Sequence, residues 1–379
     1  MKVVYCHCSV YNPGGMERVL LNKVEWLSRH GHEVVVVTTD QNGRKPFYAF
    51  PDNVRMIDLG INYSADNTLS PLGKIAGYLR KRKLHRRRLK DVLMHERPDV
   101  TVSLFPSESS FIPDIKDGSR KVLELHFNRY FRMQYDRHGI LGAIDRWRTH
   151  NDVKLAKRFD NFVVLTEEDR GYWGNMHNIS VIPNAAMPVA DKYADCTAKR
   201  VIAVGRLDYQ KGFDRLLRIW HKVMQSGEFS DWHLDIFGQG EWREMLLQSV
   251  KDLGIANSVT INAPVKDIAR KYLNSSLLVM TSNYEGFPMV MIEGMAMGLP
   301  VVSFDFKCGP KDIIRNNQNG IMIENGDESG FADTLAGLMR DVYVRQRLGL
   351  EARKVVNTYS EETVMDQWMH LFSSLTTDK

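Results

Sequence analysis

The chain has 379 residues, 43% of them apolar and 26% charged, with four cysteines and a formal charge of +5. That length exceeds one ordinary core and fits two domains, and the apolar share is enough to fill both. No run approaches the roughly 18 apolar residues of a membrane span, and the opening MKVVYCHCSV, broken by His7 and Ser9, lacks a signal peptide's apolar region.

The first ten residues read as a strand, with Cys6 and Cys8 alternating onto one face. Buried thiol packing is expected there rather than a metal, because no second Cys/His pair has ligand spacing. A reducing cytosol is the expected home. NPGGMER at 12–18 follows this strand and opens a helix. Gly14 and Gly15 there either close a tight turn or offer backbone N–H groups to an anion.

A helix is expected over Glu17–His30 and a strand over 34–38. A long helix then covers Leu72–Glu96, with Leu72, Ile75, Ala76 and Leu79 as its apolar stripe. Inside it, RKRKLHRRRLK holds eight basic residues and no acid: Arg80, Lys81, Arg82, Lys83, Arg86, Arg87, Arg88 and Lys90. Without these eight charges the rest of the chain stands at −3. One dense basic patch on a mildly acidic chain points to a local anionic partner, not to general polyanion binding. Anionic lipid headgroups, a diphosphate-linked lipid or nucleic acid would each relieve its self-repulsion. Nucleic acid is disfavoured, because the stretch has no aromatic residue for stacking.

Strands are expected at 100–105, 121–125 and 161–166, with a helix over roughly 140–158. His126 follows one of these strands at its carboxyl end, where ligands bind in open parallel sheets. Residues 183–200, poor in pattern, read as the joint between domains. A second series follows: RVIAVG, HLDIFG, SVTIN, SLLVMT, PVVSF and NGIMI, with helices between the early members. The alternation predicts two doubly wound α/β domains with a cleft between them.

GRLDYQKG at 205–212 lies between a strand and a helix. Gly205 and Gly212 permit close backbone approach, and Arg206 and Lys211 bring two cations to a helix start that already favours anions. That combination matches a diphosphate. FGQGE at 237–241 breaks the dinucleotide pattern at Arg243, so its Gly238 turn either closes a corner or brings backbone near a nucleotide. In EGFPMVMIE, Glu285 and Glu293 have seven residues between them. Pro288 suits the first turn of a helix. A fully helical stretch would hold the two acids about 12 Å apart, too far to flank one glycosidic bond but suited to the two ends of an extended ligand.

Together, the GG loop, GRLDYQKG, FGQGE, EGFPMVMIE, GLPVVSFD and CGPKDII resemble the retaining GT-B glycosyltransferases of family 4, over nearly the whole chain. The resemblance implies two Rossmann-like domains around a cleft. Residues 1–185, joined by a C-terminal helix over 360–379, would bind the acceptor, and 186–359 the nucleotide-sugar donor. Arg206 and Lys211 would bind the diphosphate, Glu285 the sugar and Glu293 the ribose. His126 would lie near the donor sugar, and Gly14 and Gly15 near acceptor and phosphate. Gly205, Gly238 and Val265 would line the donor site. Backbone N–H groups of Phe287, Pro288, Met289 and Val290 would reach sugar and phosphate. Pro288 departs from the commoner small residue, which puts the sugar's identity in play. The basic helix is similar to that of members extending undecaprenyl-diphosphate-linked glycans.

The implied activity is transfer of a hexose or N-acetylhexosamine from a nucleoside diphosphate, UDP by family frequency, to a glycan or lipid-linked glycan of the cell surface. No metal or other cofactor is expected, and no nucleic-acid partner. The expected place is the cytoplasmic face of a membrane, held peripherally through an anionic surface. A sugar-nucleotide epimerase of the same fold and a non-enzymatic basic surface module are the alternatives.

Overall fold

The computed structural model describes residues 1–12, 14–68, 70–106, 108–133, 138–186 and 192–377. Residues 187–191 of the expected joint lie outside these, as do the last two residues of the expected C-terminal helix. The chain forms two compact units, Met1–Pro183 with Val364–Lys379, and Asn184–Thr363.

The first unit holds strands β1 (Lys2–His7), β2 (Glu33–Thr38), β3 (Arg55–Asp58), β4 (Val100–Ser103), β5 (Arg120–Glu124), β6 (Asn161–Val164) and β7 (Ile179–Val181). They pair in the order 3-2-1-4-5-6-7, all parallel. Helices α1 (Gly15–Arg29), α2 (Pro71–Glu96), α3 (Gly139–Ala156) and α4 (Glu167–Trp173) connect them. The central strands are buried on both faces, so they read as largely apolar runs. Strands β3 and β7 escaped the sequence pattern for the opposite reason: they are short, lie at the sheet edges and bury little. One core packs Val4, Val35, Leu89, Leu93, Phe111, Leu123 and Phe162 together.

Two expectations for this unit need correction. Cys6 is buried, but β1 ends at His7 and Cys8 is exposed beyond it, so the two thiols do not share a packed face. In α2 the stripe expected to be apolar-facing points outward: Ile75 and Leu79 are 60% and 58% exposed. Its buried face starts later, at His85, Leu89 and Leu93. Three of the eight basic residues serve the fold. Lys81 bonds Asp66 at 2.7 Å, Arg82 bonds Ser110 at 3.1 Å, and Arg88 donates to the carbonyl of Leu59. Arg80, Lys83, Arg86, Arg87 and Lys90 are exposed.

The second unit holds β8 (Arg200–Val204), β9 (His233–Phe237), β10 (Val259–Asn262), β11 (Leu277–Met280), β12 (Val301–Phe304) and β13 (Gly320–Ile323). Their order is 10-9-8-11-12-13, again all parallel. Helices α5 (Phe213–Met224), α6 (Arg243–Asp252), α7 (Ile268–Leu273), α8 (Met289–Ala296), α9 (Pro310–Ile313), α10 (Glu328–Arg340), α11 (Val342–Ala352) and α12 (Val356–Tyr359) surround the sheet. Helix α5 shows why sequence suffices here: Phe213, Leu216, Leu217, Trp220 and Val223 recur at helical spacing and all are buried. The last helix, α13 (Glu361–Thr377), buries Val364, Met365, Trp368, Leu371 and Phe372.

In both sheets the strand order reverses beside the first strand of the series, between β1 and β4 and between β8 and β11. At such a reversal the connecting helices leave to opposite faces, and the loops beyond the strand ends part to form a crevice.

Candidate active site

In the second unit the crevice between β8 and β11 is filled by one polar cluster. Lys211 reaches Glu285 from the short turn before α5, with its ammonium 2.5 Å from Oε1. Ser282 donates to the same oxygen at 2.8 Å, and Gln210 donates to Oε2 at 2.9 Å. Both charged side chains are largely enclosed, Lys211 being 14% exposed and Glu285 6%. Arg206 is attached through Gln210, whose Oε1 it meets at 2.6 Å, and through Asp208 at 3.3 Å. It stands 68% exposed, so of the two expected cations Lys211 lies inside the site and Arg206 at its rim.

Backbone packing makes this arrangement possible. A β-carbon on Gly205 would come 2.9 Å from Cε of Lys211, so the lysine stem lies directly over that glycine. Gly212 has a left-handed φ of +60°, and a β-carbon there would meet the Thr281 carbonyl at 2.2 Å. The turn at Gly238 is explained by the fold itself. A β-carbon there would sit 1.9 Å from the Gly205 carbonyl oxygen, so the loops after β8 and β9 touch backbone to backbone.

The start of α8 differs from expectation by one residue. Pro288 occupies the N-cap and the helix begins at Met289. Proline carries no N–H, and the Met289 N–H is bonded to the Phe287 carbonyl at 3.0 Å. The expected row of four backbone donors over 287–290 is therefore reduced at two of its positions. The Phe287 ring is buried and packs on Tyr359, with centroids 5.6 Å apart. Glu293, on α8, accepts a hydrogen bond at 3.3 Å from the hydroxyl of buried Tyr272. Burial, and then the Glu293 carboxylate, push that phenol's pKa well above its usual value, so it stays a donor. Val265 is exposed in the loop after β10.

In the first unit Gly14 caps α1, and the Glu17 carboxyl folds back over it, 2.0 Å from where a β-carbon would be. Burial raises the pKa of that carboxyl. His126 follows β5, and its Nε2 lies 3.0 Å from Oε1 of Glu124. The same oxygen is bonded by Lys23 of α1, whose ammonium also stands 4.0 Å over the Trp368 ring of α13. Burial raises the Glu124 pKa, but the charges of Lys23 and His126 outweigh it and bring it to about 2. His7, at the end of β1, is 5% exposed with neither ring nitrogen hydrogen-bonded. Burial, then repulsion from His126, lower its pKa to about 4. The sequence reading missed Glu124, Lys23, His7, Ser282, Gln210 and Tyr272. One signal was legible: Glu124 is an acid inside the apolar strand KVLEL, and a buried acid needs a partner.

Among the described residues no group of three or more His, Cys, Asp or Glu is placed to hold a metal ion, and no helix is long and apolar enough to cross a membrane.

The profile of "Glycosyl transferases group 1" matches residues 192–355, and that of "Glycosyltransferase Family 4" matches residues 13–186. The amylovoran biosynthesis glycosyltransferase AmsD of Erwinia amylovora is 28% identical over 374 residues, 95% of this chain and 96% of its own. The crystal structure of TarM superposes with a TM-score of 0.82 at 17% identity, covering 98% of each chain. That of HepE from Anabaena, in complex with UDP and glucose, has a TM-score of 0.73 at 16% identity, covering 99% of this chain and 100% of its own.

Proposed function

Because the chain belongs to the glycosyltransferases of the GT-B fold, family 4 type, we propose that it moves a hexose or N-acetylhexosamine from UDP to a glycan hydroxyl with retained anomeric configuration. The likeness to HepE, which holds UDP and glucose, supports a uridine donor. The likeness to AmsD, a glycosyltransferase of amylovoran biosynthesis, supports an acceptor that is a growing polysaccharide; the basic stretch of α2 is the reason to place that acceptor on a lipid diphosphate at the cytoplasmic face of the membrane.

The observation that carries this reading is the Lys211–Glu285 pair at the β8/β11 reversal. When donor binds, the Lys211 ammonium turns to the diphosphate, with Arg206 closing from the rim. Glu285, kept in place by Ser282 and Gln210, receives the sugar hydroxyls. Both Glu285 oxygens stay hydrogen-bonded, Oε1 by the Ser282 hydroxyl and Oε2 by the Gln210 amide, so the carboxylate acts as a binding group and no covalent sugar–enzyme bond forms. The bond from C1 to the leaving phosphate breaks, the acceptor oxygen attacks C1 on the same face, and its proton passes to the leaving diphosphate. Lys211 and Arg206 stabilise the charge growing on that leaving group, and a metal is not needed for it. Glu293 takes the ribose hydroxyls while Tyr272 holds its other edge. His126 and the Gly14–Gly15 turn serve the donor sugar and acceptor. Gly205, Gly238 and Val265 border the base. The exposed basic residues of α2 meet an anionic lipid surface.

Steady-state assays with a panel of UDP-sugars and a lipid-linked glycan primer test this. Lys211→Ala is expected to lose about 3–4 kcal/mol of transition-state stabilisation, a factor of several hundred in turnover, with its melting curve showing a folded protein. Normal turnover in that variant would refute the assignment. A chelator is expected to leave wild-type turnover unchanged. Conversion of donor to another sugar nucleotide without any acceptor would indicate an epimerase instead.

A further inference from the structure

Helix α3 is built inside out over its first three turns, and only near its end do Val153 and Leu155 pack on the core. The residues it buries are Gly142, Asp145, Thr149, Asp152 and Ala156, small or polar and spaced along one face. Those it exposes are large and apolar: Ile140 at 81%, Leu141 at 58%, Ile144 at 38% and Trp147 at 65%. Ile140, Ile144 and Trp147 stand at i, i+4 and i+7, so they form one stripe. An ordinary surface helix does the reverse, and such a stripe left in water marks a surface made for something apolar.

The charges on the helix show the same division. Both of its acids, Asp145 and Asp152, point inward and are buried. Arg132 bonds Asp152. The outward residues Arg146, Arg148 and Lys154 are basic and exposed. The outer surface is therefore apolar at its centre, cationic at its margin and free of acid among the described residues. The basic stretch of α2 is tied to the C-terminal end of this helix. Arg86 of α2 and Arg158, just beyond α3, share the carboxylate of Asp114 at 4.0 and 2.6 Å. Helix α2 itself exposes Ile75, Tyr78 and Leu79 one turn before its basic run.

We propose that the outer face of α3 lies in the surface of an anionic bilayer, with Ile140, Ile144 and Trp147 among the upper acyl chains and Arg146, Arg148 and Lys154 against lipid phosphates. A tryptophan flanked by arginines on an exposed apolar stripe has the chemistry of the membrane–water interface. A second copy of the chain fits the same face poorly, because a twofold contact would bring each basic margin against its own copy. The inference rests on the membrane reading of α2 only for where the membrane lies. It adds a different force: α2 supplies attraction that salt screens, α3 supplies burial that salt does not.

Co-sedimentation of the full chain with vesicles of phosphatidylethanolamine and phosphatidylglycerol separates the two. In low salt the wild type binds. At about 0.5 M sodium chloride the α2 contribution fades and the residual binding is that of α3. The variant Ile140→Ser/Ile144→Ser/Trp147→Ser is expected to bind roughly 100-fold more weakly at high salt, with its melting temperature and turnover of a soluble acceptor retained. The variant Arg80→Gln/Lys83→Gln/Arg87→Gln is expected to fall in low salt toward the residual level that the wild type shows at high salt, and to keep that residual binding at high salt. Brominated acyl chains are expected to quench a component of wild-type fluorescence that is absent from Trp147→Phe. Equal high-salt binding by the serine variant, or no quenching specific to Trp147, overturns the proposal. So does a wild-type dimer that the serine substitutions convert to monomer, which would assign the face to a second copy. If only the α2 variant loses binding, the electrostatic reading stands and the α3 inference falls.

Discussion

His7 shows how one buried side chain writes a pH dependence into the fold. Its ring has no hydrogen-bond partner and sits close enough to His126 to feel its charge. Its folded pKa is about 4, below the ordinary histidine value. A depressed pKa means that the unfolded chain binds the proton more readily, so the stabilising contribution is complete above the unfolded pKa and is lost as pH falls toward 4. His85, also lowered to about 4 by burial, acts in the same direction. Glu108, raised to about 7 by burial, acts in the opposite one, because its neutral form is the folded form. The clean observable is therefore a difference between two proteins. Between pH 7 and 4, wild type is expected to lose up to about 3 kcal/mol more stability than His7→Leu. Urea titrations at several pH values would show it, and parallel curves would exclude His7 as a source. None of this was legible from HCS in a list of residues. Which strand residue ends up sealed from water depends on what the chain folds over it.

The helix start at α8 depends on a contact between two loops. Gly309 has φ +127°, and a β-carbon there would stand 2.3 Å from Cδ of Pro288. No side chain fits both the dihedral and the space. Gly309→Ala is expected to cost about 2 kcal/mol or more and to raise KM for the donor, because Pro288 opens the helix that carries Glu293. A thermal melt and donor titration on that variant check both effects; an unchanged KM would mean that α8 does not depend on this contact. The sequence reading placed Glu285 in the loop and Glu293 on the helix, since apolar periodicity begins between them. It did not place Pro288 at the cap or give Met289 its bond to Phe287, because cap geometry rests on dihedrals that composition leaves open. Helix α3 repeats the lesson. Its position was plain from pattern, but which face it would turn inward was not, since the buried face is the polar one.

On the scale of the molecule, the C-terminal helix returns to pack with the first unit. Trp368 is wholly buried, and its ring carries the Lys23 ammonium that in turn holds Glu124. Trp368→Ala is expected to cost about 3–5 kcal/mol, seen as a drop in the melting temperature of the full chain; a shift within a degree of wild type would show that the return is dispensable. The sequence by itself determined the two parallel-sheet α/β units and the loops that carry the candidate site, because strands buried on both faces are largely apolar and glycines must stand where backbones touch. Only the tertiary structure decided which charged residues meet. Lys211 faces Glu285, Lys23 faces Glu124, and the outward face of α3 is apolar, because these partners are brought together by strand order across 74 and 101 residues of chain, a separation that no local pattern encodes.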